Sequence, residues 1–232
     1  MNIKIPSHFM GKPVKGAIDL VLKSGVAPTV KKKKKNATPA GEIPDLNGFI
    51  YVPAINLYVA KERTLQGKNW SQTHHALHKQ GLQMPSPYQF LKFIDYLKTN
   101  TTVPDREQIL DDILEKKDPW RGQWLDSKYF EKDGELWLAY DHRPDKKGRL
   151  RADSKEKLED GLREDGYIDL ASFTQQGLPT KKVSKKDIYY YAPVASTVAR
   201  FGANSDWADL YCYGDPTGCG VRLGVRAARK KT

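Results

Sequence analysis

Long apolar runs and cysteines are both scarce in this chain of 232 residues. No apolar stretch approaches the roughly 20 residues that are needed to cross a bilayer, and the nearest candidate, residues 17–22, is interrupted by Asp19. The N-terminus also lacks the continuous apolar segment of a secretion signal. The sequence therefore predicts a soluble protein without a membrane span and without a route through the secretory pathway.

The two cysteines, Cys212 and Cys219, are too few for a disulfide-stapled scaffold. We expect reduced thiols, one of them in the core. His74 and His78 have the helical spacing of a zinc-binding pair, but the sequence offers no evident third ligand, so packing within or on a helix is favoured for them and for His75. The prediction is that the chain holds no metal ion and no cofactor.

Positive charge is not scarce, but it is confined to the two ends of the chain. The formal charge is +11, and residues 1–45 carry nine basic against three acidic residues, whereas residues 46–221 carry 25 of each. A nucleic-acid domain concentrates basic residues on a folded face with aromatics among them. We therefore interpret the excess as solvated tails and expect no nucleic acid as the primary partner. Binding of nucleic acid or anionic membrane by the five lysines of residues 31–35 is the alternative.

The order of sequence patterns predicts an α+β fold. Residues 1–45 are interpreted as a basic segment and linker, in which residues 15–22 form either a short helix or a frayed tail, and residues 46–232 as one domain. Within that domain we expect one or two strands in residues 49–58 and a hairpin at Asp133-Gly134. Ser71 and Ser86 are the candidate N-caps of the first two helices. Helices are predicted at residues 70–79, 86–98, 104–116 and 154–162. Two more strands are predicted at residues 167–173 and 187–194.

Residues 200–229 have the composition of a recognition surface. They are rich in Gly, Asp, Asn, Ser and Tyr, which supply turns, adaptable hydrogen bonds and large contact area. Their first twenty residues show little helical or alternating pattern, and an apolar segment that suits a buried final strand follows. A loop region that a strand holds in place favours binding rather than catalysis.

The same segment resembles the variable proteins of diversity-generating retroelements. The matching residues are Arg-Phe-Gly-Ala-Asn at 200–204, Ala208-x-Leu210-x-Cys212, Pro216-Thr217 and Leu-Gly-Val-Arg-Ala-Ala-Arg at 223–229. Residues 65–90 are more loosely similar to the helical part of viral and archaeal members. The resemblance implies a C-type lectin-like fold of the formylglycine-generating-enzyme type, with two or three helices packed on short antiparallel strands that long irregular loops connect.

The resemblance also implies a function and a set of contact residues. Members bind a ligand or receptor through side chains that adenine-directed mutagenesis diversifies. This function suggests that the protein is located on a virion or a cell surface. Trp207, Leu210, Leu223 and Val225 are expected to hold the frame, and Tyr211 and Tyr213 to be the energetic anchors. The expected variable positions, which should point outward, are Asp206, Asp209, Tyr211, Tyr213, Gly214, Asp215, Gly218, Cys219, Gly220, Val221 and Arg222.

Other functions of the same fold stay open as alternatives. A non-diversified lectin-like protein would need a calcium site, which Asn204, Asp206 and Trp207 only faintly suggest, and an Asn turn is favoured there. A protein like formylglycine-generating enzyme would use Cys212 and Cys219, but the sequence shows no supporting base beside them. We therefore predict a binding protein and not an enzyme.

Overall fold

The computed structural model describes residues 8–9, 12–13, 46–184 and 188–231. The chain divides into two units, Met1–Ile43 and Pro44–Thr232. In the first unit, β1 (His8–Phe9) pairs antiparallel with β2 (Lys12–Pro13). The predicted linker of residues 31–35 and the predicted short helix of residues 15–22 lie outside the described residues.

The second unit is α+β, as the sequence predicts. Its α-helices are α1 (Trp70–His78), α2 (Pro87–Thr99) and α3 (Arg106–Leu114), and two 3₁₀ turns span Leu46–Gly48 and Pro53–Ile55. Its strands are β3 (Phe49–Val52), β4 (Leu57–Ala60), β5 (Arg121–Lys132), β6 (Glu135–Pro144), β7 (Leu150–Lys157), β8 (Gly166–Ile168), β9 (Ile188–Tyr191), β10 (Val198–Ala203), β11 (Ala208–Gly214), β12 (Leu223–Gly224) and β13 (Ala228–Lys230). None of the helices in the described part of the chain has the length and apolar character to cross a membrane.

The strands of this unit form one large and one small sheet. The large sheet has the order β7-β6-β5-β10-β11-β9-β8, with β12 added to β5, and the small sheet has the order β13-β4-β3. Neighbouring strands are antiparallel except for the pairs β11–β9 and β12–β5, which are parallel. The Asp133-Gly134 hairpin is confirmed, because it connects β5 to β6, and both residues have positive φ.

The first two helices begin at capping boxes. The Ser86 side chain accepts a hydrogen bond from the Gln89 backbone N–H, and the Gln89 side chain accepts one from that of Ser86, which confirms this N-cap. The predicted N-cap Ser71 is wrong. Asn69 is the N-cap, because it makes the same reciprocal pair with Gln72, and Ser71 is already the second residue of α1. The predicted apolar stripe of α2 is buried in the core and consists of Phe90, Phe93, Ile94 and Leu97.

Three regions differ from the prediction. The strand predicted at residues 167–173 is shorter, because β8 ends at Ile168. Residues 154–162 do not form a helix, because residues 150–157 pair with β6 as the edge strand β7, whose side chains alternate between exposed and half-buried. The start of residues 200–229 is not an irregular loop, because β10 and β11 form an antiparallel pair in the middle of the large sheet. Both strands are held by tertiary pairing, which overrides weak local patterns.

The main core lies on one face of the large sheet. Phe201 of β10 and Leu210 of β11 are fully buried there, and the Phe201 ring lies 5.3 Å from that of Phe90 on α2. Because side chains alternate along a strand, the neighbours of these residues in sequence point to the opposite face of the sheet.

Candidate functional site

Six aromatic side chains cover the outer face of the strands β8, β9 and β11. The strand register places Tyr167 opposite Tyr189, and Tyr191 opposite Tyr211. Consecutive rings are in contact, with centroid distances from 4.2 Å for Tyr211–Tyr213 to 5.5 Å for Tyr189–Trp207. All six residues are half-buried. We call this surface the tyrosine face, and its members are Tyr167, Tyr189, Tyr191, Trp207, Tyr211 and Tyr213.

Arg200 of β10 borders the tyrosine face. It lies opposite Tyr211 in the sheet, and its guanidinium carbon is 4.1 Å from the centroid of the Tyr211 ring and 5.1 Å from that of Trp120. These are cation–π distances. The guanidinium therefore lies in an aromatic setting at the edge of an open cleft of about 360 Å³, lined by Trp120, Tyr191, Arg200, Asn204, Trp207, Asp209 and Tyr211.

Asp209 lines the same cleft and is only 5% exposed. Burial raises the pKa of its carboxyl to about 6, against the opposing effect of the positive charge on Arg200. Its Oδ1 atom and the Nε atom of Arg200 are both buried without a hydrogen-bond partner. Buried polar atoms normally have partners, so the wall of this cleft contains an acceptor and a donor whose hydrogen-bonding capacity the fold does not use.

The eleven expected variable positions fall into three places. Tyr211, Tyr213 and Asp209 lie on the outer face of β11, and Asp206 lies in the turn before this strand. The loop between β11 and β12 carries the positions from residue 215 to residue 222, and Val221 in this loop is 80% exposed. Nine of the positions are exposed or half-buried. Asp209, although on the outer face, and Gly214, the last residue of β11, are buried, which differs from the expectation of an exposed set.

Gly214 is buried because the backbone leaves no room beside it. A Cβ atom at this position would lie 3.0 Å from the carbonyl oxygen of Val198 and 3.7 Å from the ring of Trp124. The expected frame residues Leu210, Leu223 and Val225 are also buried, and Trp207 is half-buried as a member of the tyrosine face. The frame thus includes Gly214.

The loop of residues 215–222 has its own turn structure. The Asp215 side chain accepts hydrogen bonds from the backbone N–H and the hydroxyl of Thr217, and the Gly218 N–H donates to the Asp215 carbonyl. The carbonyl of Pro216 accepts a bond from the N–H of Trp70, which starts α1. The loop is therefore anchored to the helical side of the fold while its residues 219–222 remain exposed.

Several residues of this site were not identified from the sequence. Tyr189 and Tyr191 were interpreted only as part of a strand, and Arg200, Trp120 and Tyr167 received no functional role. A signal was present, because residues 189 and 191 flank a buried Tyr190 and alternate tyrosines in a half-buried strand share one face.

Asn204 and the two cysteines bear on the alternative functions. Asn204 Oδ1 accepts hydrogen bonds from the backbone N–H groups of Asp206 and Trp207, which is the turn role that the sequence favours. Both cysteines are free, which confirms the predicted thiols, and Cys212 is in the core while Cys219 is exposed. Burial raises the pKa of the Cys212 thiol to about 12, and an activated cysteine has a lowered pKa instead.

The histidines of α1 have three different environments. The ring of His75 lies between the carbonyls of Ser71 and Gly148, and His78 is exposed. His74 is buried, and burial lowers its pKa to about 4, so its imidazole is neutral at pH 7. The residues whose potential ligand atoms lie within 4.8 Å of one another are His74 with Asp126 and His142 of the β5–β6 hairpin, and the group does not include His78.

Comparison of the chain with protein-family models, with curated proteins and with solved structures gives no match. A functional assignment therefore depends on the residues and their geometry.

Proposed function

We propose that this chain is a ligand- or receptor-binding protein that recognises its partner through the tyrosine face and the adjoining loop of residues 215–222. The observation that carries the proposal is the continuous row of half-buried aromatic rings beside a cleft in which Arg200 Nε and Asp209 Oδ1 have no hydrogen-bond partner. Aromatic contact area and unpaired polar groups on one surface are the two components of a recognition site.

The tyrosine face is well suited to binding because its side chains are already ordered. Each ring packs against at least one other ring at 4.2 to 5.5 Å, so little rotamer freedom remains to be lost when a partner binds. Tyrosine and arginine are also the residue types that most often dominate binding energy at interfaces. We expect Tyr191, Tyr211 and Arg200 to contribute most.

The same proposal extends to a C-type lectin-like scaffold whose surface a retroelement diversifies. Its support is the division of residues 200–229 into an exposed or half-buried set, which includes nine of the eleven expected variable positions, and a buried set that includes Leu210, Leu223 and Val225. Such a division would allow many side chains on one backbone. Because Asp209 and Gly214 are buried, we expect them to tolerate fewer side chains than the other nine positions.

A binding experiment with a matched control tests the recognition surface. The full-length chain and two double variants, Tyr191→Ala/Tyr211→Ala and Tyr51→Ala/Tyr58→Ala, would be applied to protein and glycan arrays. Tyr51 and Tyr58 are a suitable control because they are also half-buried tyrosines in ring contact, at 5.1 Å, but lie on the small sheet. We expect the first variant to lose about 30-fold or more in affinity for any array target, since even one anchor contributes about 2 kcal/mol, and the control to bind normally. Equal affinity of the two variants would exclude the tyrosine face as the recognition surface.

The retroelement part has a separate test in the DNA around the coding sequence. We expect a near-identical template repeat of the codons for residues 200–229, with adenines at the variable positions, beside a gene for a reverse transcriptase. Without such a repeat the protein would be a non-diversified lectin-like binder, and the array experiment would still decide whether the tyrosine face binds.

A further inference from the structure

A compact cluster of two histidines and one aspartate lies between the first helix and the large sheet. His74 comes from α1, Asp126 from β5 and His142 from β6, and all three are nearly inaccessible, with side-chain exposures of 3%, 6% and 5%. His142 Nδ1 lies 2.6 Å from Asp126 Oδ1, and His74 Nε2 lies 3.5 Å from the same oxygen. The backbone N–H of His142 donates to the other oxygen, Oδ2, at 3.0 Å.

One atom of the cluster has no explanation in the hydrogen bonds of the fold. His74 Nε2 is buried and has no hydrogen-bond partner, although it lies 3.5 Å from the Asp126 oxygen with which His142 is already in contact. A buried nitrogen without a partner is unfavourable, and native proteins rarely keep one without a purpose. This nitrogen is placed to donate its lone pair to an electrophile held between the three side chains.

The rings of the cluster are also fixed in position. Trp70 packs edge-on against both imidazoles, with centroid distances of 4.4 Å to His74 and 4.7 Å to His142. The Trp70 indole N–H donates in turn to the carbonyl of Leu125 at 2.9 Å. Packing and hydrogen bonds that hold ligating rings in place are the supporting arrangement that metal sites require.

We propose that His74, Asp126 and His142 bind a divalent transition-metal ion, with Zn²⁺ as the ion that suits two imidazoles and one carboxylate best. Two histidines and one carboxylate are a recurring ligand set for zinc, with a fourth position left to water or substrate. The three ligand atoms all lie within 4.8 Å of one another, so one ion can reach all of them after small side-chain movements. The site does not depend on the tyrosine face.

Binding requires Nδ1 of His142 to give up its proton. The hydrogen bond from His142 Nδ1 to Asp126 Oδ1 at 2.6 Å is replaced by two bonds to the metal, and the neutral imidazole then carries its single proton on Nε2. Metal–ligand bonds of about 2.0–2.1 Å in a tetrahedron separate the ligand atoms by about 3.3 Å, so Nδ1 and Oδ1 move apart by less than about 1 Å. Asp126 Oδ2 keeps its bond from the His142 backbone, which orients the carboxylate throughout.

The open position of the ion would face a cleft of about 370 Å³ that His74, Asp126 and His142 line together with His78, Gln83 and Asp141. Arg143, Arg229 and Lys230 also line this cleft, and Arg143 is paired with Asp153 at 3.1 Å. Since this surrounding is basic, we expect the fourth ligand to be hydroxide or an anionic group rather than a second neutral side chain.

Metal titration of the full-length chain tests the proposal. After treatment with a chelator and dialysis, Zn²⁺ binding would be measured by calorimetry, and Co²⁺ binding by the visible absorption that reports its coordination geometry. We expect one ion per chain and a rise in melting temperature of about 5 °C or more at a free zinc concentration near 100 times Kd. The variants Asp126→Asn and His142→Gln should bind at least 100-fold more weakly, whereas His75→Gln, one residue from His74, should bind as the unaltered chain does. No binding tighter than about 1 mM would overturn the proposal, and so would undiminished binding by His142→Gln.

Imidazole NMR of the unaltered chain decides the case even if the variants fail to fold. Addition of one equivalent of Zn²⁺ should shift the ring nitrogen resonances of two histidines and leave that of His75, whose two nitrogens already face carbonyls, unchanged. Nuclear Overhauser contacts to the ring of Trp70 identify the shifted pair as His74 and His142. Shifts confined to other histidines would place the ion elsewhere and contradict the proposed site.

Discussion

The two faces of strand β11 place alternate residues of one segment in opposite environments. The inner residues Ala208, Leu210 and Cys212 are at most 1% exposed and belong to the core, while the outer residues Tyr211 and Tyr213 are half-buried in the tyrosine face. Antiparallel pairing with β10 and parallel pairing with β9 fix the register of β11. This register determines which side of the sheet each residue faces. A buried core face and a half-buried outer face therefore share the seven residues of this strand.

Adjacent substitutions on the two faces should give the largest contrast in stability. Leu210→Ala removes a fully buried side chain and should lower the free energy of unfolding by about 2–5 kcal/mol. Tyr211→Ala removes a half-buried ring and should cost about 1 kcal/mol. Urea denaturation of the two variants measures both effects, and similar losses would mean that the two faces are not energetically distinct.

Asp209 should make stability depend on pH, although it lies on the outer face. The pKa of its carboxyl rises from 3.8 to about 6 on folding, so the folded state holds the proton more tightly than the unfolded state. This contribution to stability is complete below about pH 4 and is lost as the pH rises through 6, by about 3 kcal/mol for the whole shift.

The variant Asp209→Asn separates this effect from other titrating groups. Its free energy of unfolding should exceed that of the unaltered chain by more at pH 7 than at pH 4, because Asn carries no charge to desolvate. Thermal unfolding at both pH values measures this difference. A constant difference between the two proteins would show that Asp209 is not the group responsible.

Substitutions at two glycines should distinguish the buried frame from the exposed loop by their effects on stability. Gly214→Ala places a Cβ 3.0 Å from the Val198 carbonyl oxygen and should cost about 1–3 kcal/mol. Gly220→Ala places a Cβ no closer than 3.9 Å to its nearest neighbour, Leu223, and should change stability by less than about 0.5 kcal/mol. The midpoints of chemical denaturation compare the two, and a tolerant Gly214 would return this position to the variable set.

Local signals predicted much of the first half of the fold. The capping motif at Ser86, the apolar spacing of α2 and the Asp133-Gly134 turn each depend on residues close in sequence, and the structure confirms all three. The strands β10 and β11 were missed for a physical reason. In β11 the outer positions 211 and 213 carry tyrosines, so the alternation between polar and apolar residues that marks a half-buried strand is hidden, and β10 contains Gly202, a residue type that is depleted in strands.

The candidate sites were less predictable, because distant residues assemble them. Tyr211 and Tyr213 could be identified from composition, but Tyr191 and Arg200 join them only through strand pairing. His74 was recognised as a possible ligand, while Asp126 and His142 reach it only through the packing of α1 on the β5–β6 hairpin. No spacing rule connects residues 74, 126 and 142.

The alternation along β11 also restricts how this protein can evolve. Inserting or deleting one residue between 208 and 214 would exchange the two faces, burying Tyr211 and Tyr213 and exposing Leu210 and Cys212. Such a change of length would damage the core and the tyrosine face at once. One-for-one exchange of the outer residues keeps the register of the strand, so we expect changes of side chain here to be tolerated far better than changes of length.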